Sequence, residues 1–123
     1  MSEVQLRVPS GPLGDAVLRR VVRALAASTA LPIDRVDDLA IICEEILARS
    51  TASPSEFTFR CDAGHITLET PVVLAATAGA VLNALANDVR ETSDEEGRPV
   101  LQVRVAAHAN DSGTDRDGGS TRN

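Results

Sequence analysis

Aromatic side chains are nearly absent from this sequence, which has two phenylalanines, no tryptophan and no tyrosine among 123 residues. It therefore has no set of aromatic rings on which unpaired bases could stack. Because 43% of the residues are nonetheless hydrophobic, the core must consist of valine, leucine, isoleucine and alanine. An aliphatic core of this kind is typical of small layered α/β domains, and the length fits one domain.

Positive charge is also scarce. The sequence has 12 lysines and arginines against 18 aspartates and glutamates, for a formal net charge of −6. Binding to a phosphate backbone needs clustered cations, so we expect no nucleic-acid partner. A basic protein partner is favoured instead, because an acidic surface steers oppositely charged proteins toward it.

Long hydrophobic runs are missing too. The longest apolar tract, Val72 to Leu82, is interrupted by Thr77 and Gly79 and is shorter than the ~20 residues of a membrane span. The N-terminus, MSEVQLRVPS, has neither the basic start nor the apolar core of a signal peptide. We expect a cytoplasmic protein with no membrane partner. In such a protein Cys43 and Cys61 are small buried hydrophobic residues rather than a disulfide or a metal pair.

Hydrophobic periodicity predicts elements in the order β-α-α-β-β-α-β. They are strand Glu3 to Val8, helix Leu13 to Ser28, a second helix capped by Asp34 and running to about Ser50, strands Glu56 to Cys61 and His65 to Glu69, helix Leu74 to Thr92 and strand Val100 to Val105. We expect a four-stranded mixed sheet with three helices on one face, a two-layer α/β (α+β) sandwich over residues 1–107. Residues 108–123 have no apolar side chain larger than alanine, and we expect a disordered tail there.

The second helix has two usable faces. At 100° per residue, its apolar arc contains Val36, Leu39, Cys43, Ile46 and Leu47. Asp38, Glu45 and Arg49 fall within about 40° of one another on a different face, and Ile42 shares their stripe. A carboxylate over a partly apolar surface is how some nucleotide-binding folds build their site.

The last predicted helix is amphipathic in a similar way. Leu82 and Leu85 lie on the stripe that should face the sheet, so we expect both to be core residues. Asn83 and Asn87 lie four residues apart on the opposite face, where alanine should be tolerated.

The order of elements, the second helix and the stretch VLNALANDV at residues 81–89 resemble the Bergerat-fold (GHKL) ATPase domain. This is the superfamily of gyrase, Hsp90, the histidine kinases and MutL. From Val4 to Val105 the chain is most similar to divergent members of the small anti-sigma factor serine kinases of bacterial stress and sporulation pathways. In that family the second helix carries a Glu that positions or activates a water or hydroxyl at the γ-phosphate. Four residues later an Asn ligates magnesium.

Two registers place this sequence on that motif. Glu45 would be followed by Arg49, and Glu44 by Ala48. We favour Glu45 as the catalytic candidate, because Glu44 lies about 100° away beside Asp37. Neither arginine nor alanine supplies the oxygen ligand that Mg²⁺ takes. Arg49 then occupies the family's metal-ligand position, and Glu45 with Arg49 also fits an i, i+4 ion pair.

The resemblance implies an adenine and phosphate site after the third strand. There the family has Asp-x-Gly-x-Gly, whereas this sequence has LETPVVLAATAG at residues 68–79. Glu69 and Gly79 are therefore the candidate nucleotide-binding residues, although Gly79 also fits a close-packing point in an alanine-rich helix. The glycine-rich lid over the phosphates is absent. We expect no cofactor, and ATP with Mg²⁺ only if the kinase activity is kept. His65 and His108 have no ligand partner nearby in sequence, so we expect no metal site.

The resemblance of the scaffold to this family, together with the missing nucleotide motifs, implies a pseudoenzyme in the regulation of stress-response transcription. The predicted function is that of an anti-sigma factor, which sequesters a sigma factor or related transcription regulator by protein-protein binding. One alternative is an active serine/threonine kinase that uses Glu45 to phosphorylate an anti-anti-sigma (STAS-type) partner. Another is a structural or dimerisation module. The resemblance also implies a homodimer.

Overall fold

A computed structural model of the chain describes residues 2–50, 54–71 and 76–108. In these residues the alternation and periodicity of hydrophobic side chains give strands and helices. The elements are β1 (Ser2–Val8), α1 (Pro12–Thr29), α2 (Ile33–Arg49), β2 (Ser55–Asp62), β3 (His65–Thr70), α3 (Ala76–Leu85), β4 (Asp88–Ser93) and β5 (Pro99–Ala106). The α+β class is as predicted. Apart from His108, the predicted tail lies outside the described residues. No helix among the described residues is long and apolar enough to cross a membrane.

The sheet differs from the prediction in strand number and direction. Its five strands have the order β1-β2-β3-β5-β4, and every neighbouring pair is antiparallel. The expected four-stranded mixed sheet was therefore wrong. The predicted helix Leu74 to Thr92 ends at Leu85, and β4 follows it. A helix leading directly into β5 would have made β5 parallel to β3, as in a β-α-β crossover. The additional strand β4 reverses the chain, so β5 is antiparallel.

One face of the sheet carries the core. The strands bury alternate side chains there, which are Val8, Phe57, Phe59, Cys61, Ile66, Leu68, Leu101, Val103 and Val105. The helices add Leu18, Val22, Leu39, Ile42, Ile46 and Leu82 to the same cluster. Because successive side chains of a strand point to opposite faces, polar residues such as Arg60 and Glu69 face away from the helices. We call that side the open face.

The first two helices form a tight hairpin on the core face. Three residues join them, and the first, Ala30, has the left-handed conformation with φ 57°. Pro32 precedes α2 as its N-cap, so the capping role expected for Asp34 was wrong. At the other end of the hairpin, Gly14 allows a close approach. A Cβ there would lie 1.9 Å from the Pro9 carbonyl oxygen, so no larger residue fits without a backbone shift.

Candidate functional site

The predicted polar face of α2 divides into two ion pairs. Asp38 accepts a hydrogen bond from Arg35 Nη1 at 2.5 Å, and Glu45 accepts one from Arg49 Nε at 2.9 Å. The Glu45 side chain is 21% exposed, and that of Arg49 is 43% exposed. The i, i+4 ion pair that the spacing allows is therefore present. Arg49, four residues after the candidate catalytic residue Glu45, therefore binds the carboxylate of Glu45.

The neighbours of this face have different environments. Ile42 is fully buried, because α2 contacts both α1 and α3 and buries both of its flanks. Ile42 therefore belongs to the core and does not form the partly apolar surface expected beside these charges. Glu44, the carboxylate of the second register, accepts a hydrogen bond from Arg19 at 2.5 Å. That contact ties α2 to α1, so the two candidate carboxylates serve different ion pairs.

Glu69 lies on the open face, on the other side of the sheet from α2. It is located in β3 between the buried residues Leu68 and Thr70. Its carboxylate accepts hydrogen bonds from Arg60 at 2.6 Å and from Gln102 at 2.8 Å. Partial burial acts to raise the pKa of Glu69, but these hydrogen bonds and the charge of Arg60 outweigh it and hold the pKa below its ordinary value. The structure therefore does not bring Glu69 and Glu45 together.

Gly79 lies within α3 and is half-buried. A Cβ built there would meet no described atom within 4 Å. No described residue therefore packs closely against this glycine. Residues 72–75, which complete the stretch compared with the family's glycine motif, lie outside the described residues. A role for Gly79 in nucleotide binding stays a prediction.

The two cysteines are buried and neither forms a disulfide. Burial raises the pKa of each thiol, and the nearby charges of Glu44 and Asp62 raise it further at Cys43 and Cys61 respectively. Formation of a reactive thiolate is thus opposed at both positions. Within the described residues, no group of three or more His, Cys, Asp or Glu side chains could hold a metal ion.

A buried arginine that the sequence analysis missed connects three parts of the fold. Arg35 is 2% exposed. It donates to the Ala106 carbonyl at 2.9 Å, to Asp38, and to Asn87 Oδ1 at 2.7 Å. Asn87 in turn accepts from the Ala106 N–H and donates to the His108 carbonyl, both at 2.7 Å. We call Arg35, Asp38 and Asn87 the arginine cluster. The one feature of the sequence that indicates this cluster is the position of Arg35 next to the apolar arc of α2.

The open face of the sheet carries a row of paired polar groups. Arg60 donates to Glu3 at 3.1 Å and to Glu69 at 2.6 Å. Because Gln102 also donates to Glu69, this row links β1, β2, β3 and β5. Beside it lies a shallow cavity of about 340 Å³, lined by Arg60, Asp62, Thr67, Asp88, Arg90, Gln102 and Arg104. Arg90 pairs with Asp88 at 2.7 Å, so the lining presents both signs of charge and favours no single class of ion.

Comparison with known proteins assigns no family to the chain. Neither the protein-family models nor the curated proteins compared with it give a match. The resemblance to the Bergerat-fold ATPases therefore stays a prediction that depends on the order of elements and on the residues of α2.

Proposed function

We propose that this chain is a protein-binding regulator of the anti-sigma type, which sequesters a sigma factor or a related transcription regulator without ATP turnover. The observation that carries this proposal is the 2.9 Å ion pair between Glu45 and Arg49. In the ATPases that the chain resembles, the residue in the place of Arg49 ligates Mg²⁺ through an amide oxygen. A guanidinium has only donors and a permanent positive charge, so it cannot replace that ligand.

The position of Glu69 also favours binding over catalysis. A nucleotide bound in the way of the family would need its adenine and γ-phosphate sites in one pocket, whereas Glu69 and Glu45 lie on opposite sides of the sheet. Arg60 and Gln102 occupy the Glu69 carboxylate. The Bergerat-like arrangement of a helical layer on a sheet then serves as a scaffold for a protein surface.

The charge of the chain is suited to a basic partner. Its formal net charge is −6, and complementary charge raises the association rate of two proteins. We propose that the partner is a sigma factor in the cytoplasm and that a STAS-type antagonist competes for the same protein. Binding to such a partner should weaken as salt screens the two surfaces.

Calorimetric titration with Mg·ATP tests whether nucleotide chemistry is lost. We expect no binding tighter than about 1 mM, because Arg49 stands at the magnesium-ligand position of α2, and Arg60 and Gln102 already occupy the carboxylate of Glu69. Micromolar binding that is lost in Glu45→Ala, but kept in the loop variant Glu95→Ala, would overturn this expectation. That outcome would favour the alternative, a serine/threonine kinase that phosphorylates its antagonist.

Affinity capture from the native host tests the binding role itself. The tagged full chain should recover a sigma factor or a STAS-type protein at low salt, and less of it at high salt. Recovery of neither class of protein would contradict the proposal, whatever the titration with Mg·ATP shows.

A further inference from the structure

The outward face of α2 combines exposed isoleucines with unpaired carboxylates. Ile33 and Ile41 are 73% and 48% exposed, and the exposed residues Asp34 and Asp37 lie between them in sequence. At 100° per residue, these four side chains fall within about 100° of one another. We call them the α2 ridge. One exposed isoleucine is ordinary for a protein surface, whereas two on one face of a helix, with charges between them, are typical of a contact region.

The rest of α2 is buried or already paired. Leu39 and Ile46 are fully buried and point about 180° away from the middle of the α2 ridge. Three other carboxylates of the helix are held in ion pairs, which are Asp38 with Arg35, Glu44 with Arg19 and Glu45 with Arg49. Within the described ranges, Asp34 and Asp37 have no ion-pair or hydrogen-bond partner. The charge that the α2 ridge offers to another molecule is therefore negative.

An apolar groove adjoins the α2 ridge at the start of the helix. Its volume is about 330 Å³, and it is lined by Arg23, Ala26, Ala27, Leu31, Ile33 and Val36. Because Ile33 belongs both to the ridge and to the groove, an apolar side chain of a partner would be removed from water on two sides there. Arg23 borders the groove from α1 and repels cations. The basic side chains of a partner therefore belong over Asp34 and Asp37.

The spacing of the two isoleucines suits a helical partner. Ile33 and Ile41 are eight residues apart, which is about 12 Å along α2. Apolar residues seven or eight positions apart on a second helix recur on one face at nearly the same distance. A helix packed along α2 therefore places one apolar side chain against each isoleucine, and cations between them against the carboxylates.

We propose that the α2 ridge binds a basic amphipathic helix of the partner protein. Apolar side chains of that helix cover Ile33 and Ile41, and its lysine or arginine side chains pair with Asp34 and Asp37. Charge selects this occupant, because two α2 ridges would set carboxylates against carboxylates. The inference rests on the proposed function, since it names the surface by which the regulator holds a basic partner.

The α2 ridge ends beside the candidate catalytic residue. Ile41 lies one helical turn before Glu45, whose carboxylate is held by Arg49. A helix bound along the ridge would cover the face on which the ATPases that the chain resembles carry their catalytic carboxylate. Partner binding thus uses a surface that nucleotide chemistry would need open.

Titration of the isotope-labelled full chain with a synthetic helical peptide, followed by amide NMR, tests the proposal. The peptide has leucines seven residues apart and lysines between them, and a control peptide has glutamates in place of the lysines. We expect shifts concentrated in residues 33–41 and a dissociation constant on the order of 100 μM, since a single helix buries little surface. The glutamate peptide should bind at least about tenfold more weakly.

Matched variants separate the α2 ridge from the overall charge of the protein. Asp34→Asn with Asp37→Asn should raise the dissociation constant at least about fivefold, and Ile41→Ala at least about threefold. Glu95→Gln with Glu96→Gln removes the same charge from the loop between β4 and β5 and should change it less than about twofold. All five side chains are exposed, and the midpoint of urea unfolding checks that each variant is folded.

Three outcomes of the titration would overturn the proposal. They are a lysine peptide that binds more weakly than about 1 mM, equal binding of the two peptides, and a loop variant that weakens binding as much as the α2 variant. Affinity capture distinguishes this failure from failure of the proposed function. If Asp34→Asn with Asp37→Asn and Ile41→Ala recovers a sigma factor as well as wild type does, the function stands and the α2 ridge is not its surface.

Discussion

Arg35 carries a guanidinium that is almost completely removed from water, yet each of its nitrogens has an acceptor. Burial of a charge costs several kcal/mol unless the group is paired and hydrogen-bonded. Asp38 supplies the opposite charge, and Asn87 and the Ala106 carbonyl accept from the remaining donors. The cluster thereby joins the first turn of α2 to the start of β4 and the end of β5.

The arginine cluster corrects the expectation that Asn83 and Asn87 tolerate alanine equally. Arg35→Ala should lower the free energy of unfolding by about 3–5 kcal/mol, because buried acceptors lose their donor. Asn87→Ala should cost about 1–3 kcal/mol. Asn83 is exposed, so Asn83→Ala should stay within about 0.5 kcal/mol of wild type. Urea denaturation measures all three, and equal effects for the two asparagines would contradict the role given to the cluster.

Glu69 makes the stability of the sheet depend on pH. Its pKa is lower in the folded protein than its ordinary value, so the folded state favours the carboxylate. The stabilisation is therefore complete above the ordinary pKa of about 4.3 and is lost as the pH falls through the lower folded value. Between about pH 5 and pH 3, wild type should lose more stability than Glu69→Gln, as measured by urea unfolding at each pH. Parallel pH profiles for the two proteins would show that the hydrogen bonds to Glu69 contribute nothing.

At the scale of elements, the last predicted helix shows what the sequence pattern leaves ambiguous. Leu82, Leu85 and Val89 recur at helical spacing, but Val89 is also part of the strand Asp88–Ser93. The helix ends at Leu85, and the Asn87 N–H already donates to the Arg104 carbonyl of β5. Gly97 lies in the loop to β5 with φ 80°. Helical period and strand alternation fit the same few residues here, and pairing with β5 decides between them. One consequence is that Leu82 is fully buried, whereas Leu85 is only half-buried.

The local sequence pattern was sufficient to predict strands, and to predict ion pairs whose two residues lie on the same helix. The i, i+4 spacing predicted the pair of Glu45 with Arg49, and alternation predicted β1, β2, β3 and β5 within a few residues. Two of the three partners of Arg35 are 52 and 71 residues away, so they depend on the tertiary fold. The direction of β5 likewise depends on the strand that precedes it.

Two glycines in different helices should respond to alanine in opposite ways. Gly79→Ala should stabilise the protein by about 0.5–1 kcal/mol, because α3 gains helix propensity and no described atom obstructs the new methyl group. Gly14→Ala should cost about 2 kcal/mol or more, because its Cβ would overlap the Pro9 carbonyl. Thermal unfolding of both variants measures the difference. A destabilised Gly79→Ala would indicate a contact with residues outside the described ranges.

On the scale of the whole molecule, the sheet is covered on one face and carries paired charges on the other. The interior strands β2, β3 and β5 have hydrogen-bonded neighbours on both sides. The edge strand β4 pairs with β5 alone and is mostly exposed. The free energy of local unfolding should therefore fall from the centre of the sheet toward β4.

Native-state hydrogen exchange measures this gradient. Hydrogen-bonded amides of β2 and β3 should exchange at least about tenfold more slowly than those of β4, because β4 can separate without opening the core. Arg35→Ala should speed exchange in β4 more than in β2, since Asn87 would lose its anchor at the start of that strand. Equal protection in all strands would show instead that the sheet opens as one unit.

The alkylation rates of the two buried thiols can report local opening of the folded protein. A thiolate is the species that an alkylating reagent attacks, and neither Cys43 nor Cys61 is accessible or easily ionised in the folded state. Each should be alkylated only in molecules that have transiently opened around it. Cys43 reports opening of α2, and Cys61 reports opening at the end of β2. In a chain without tryptophan or tyrosine, the ratio of the two labelling rates says which part of the sandwich opens first.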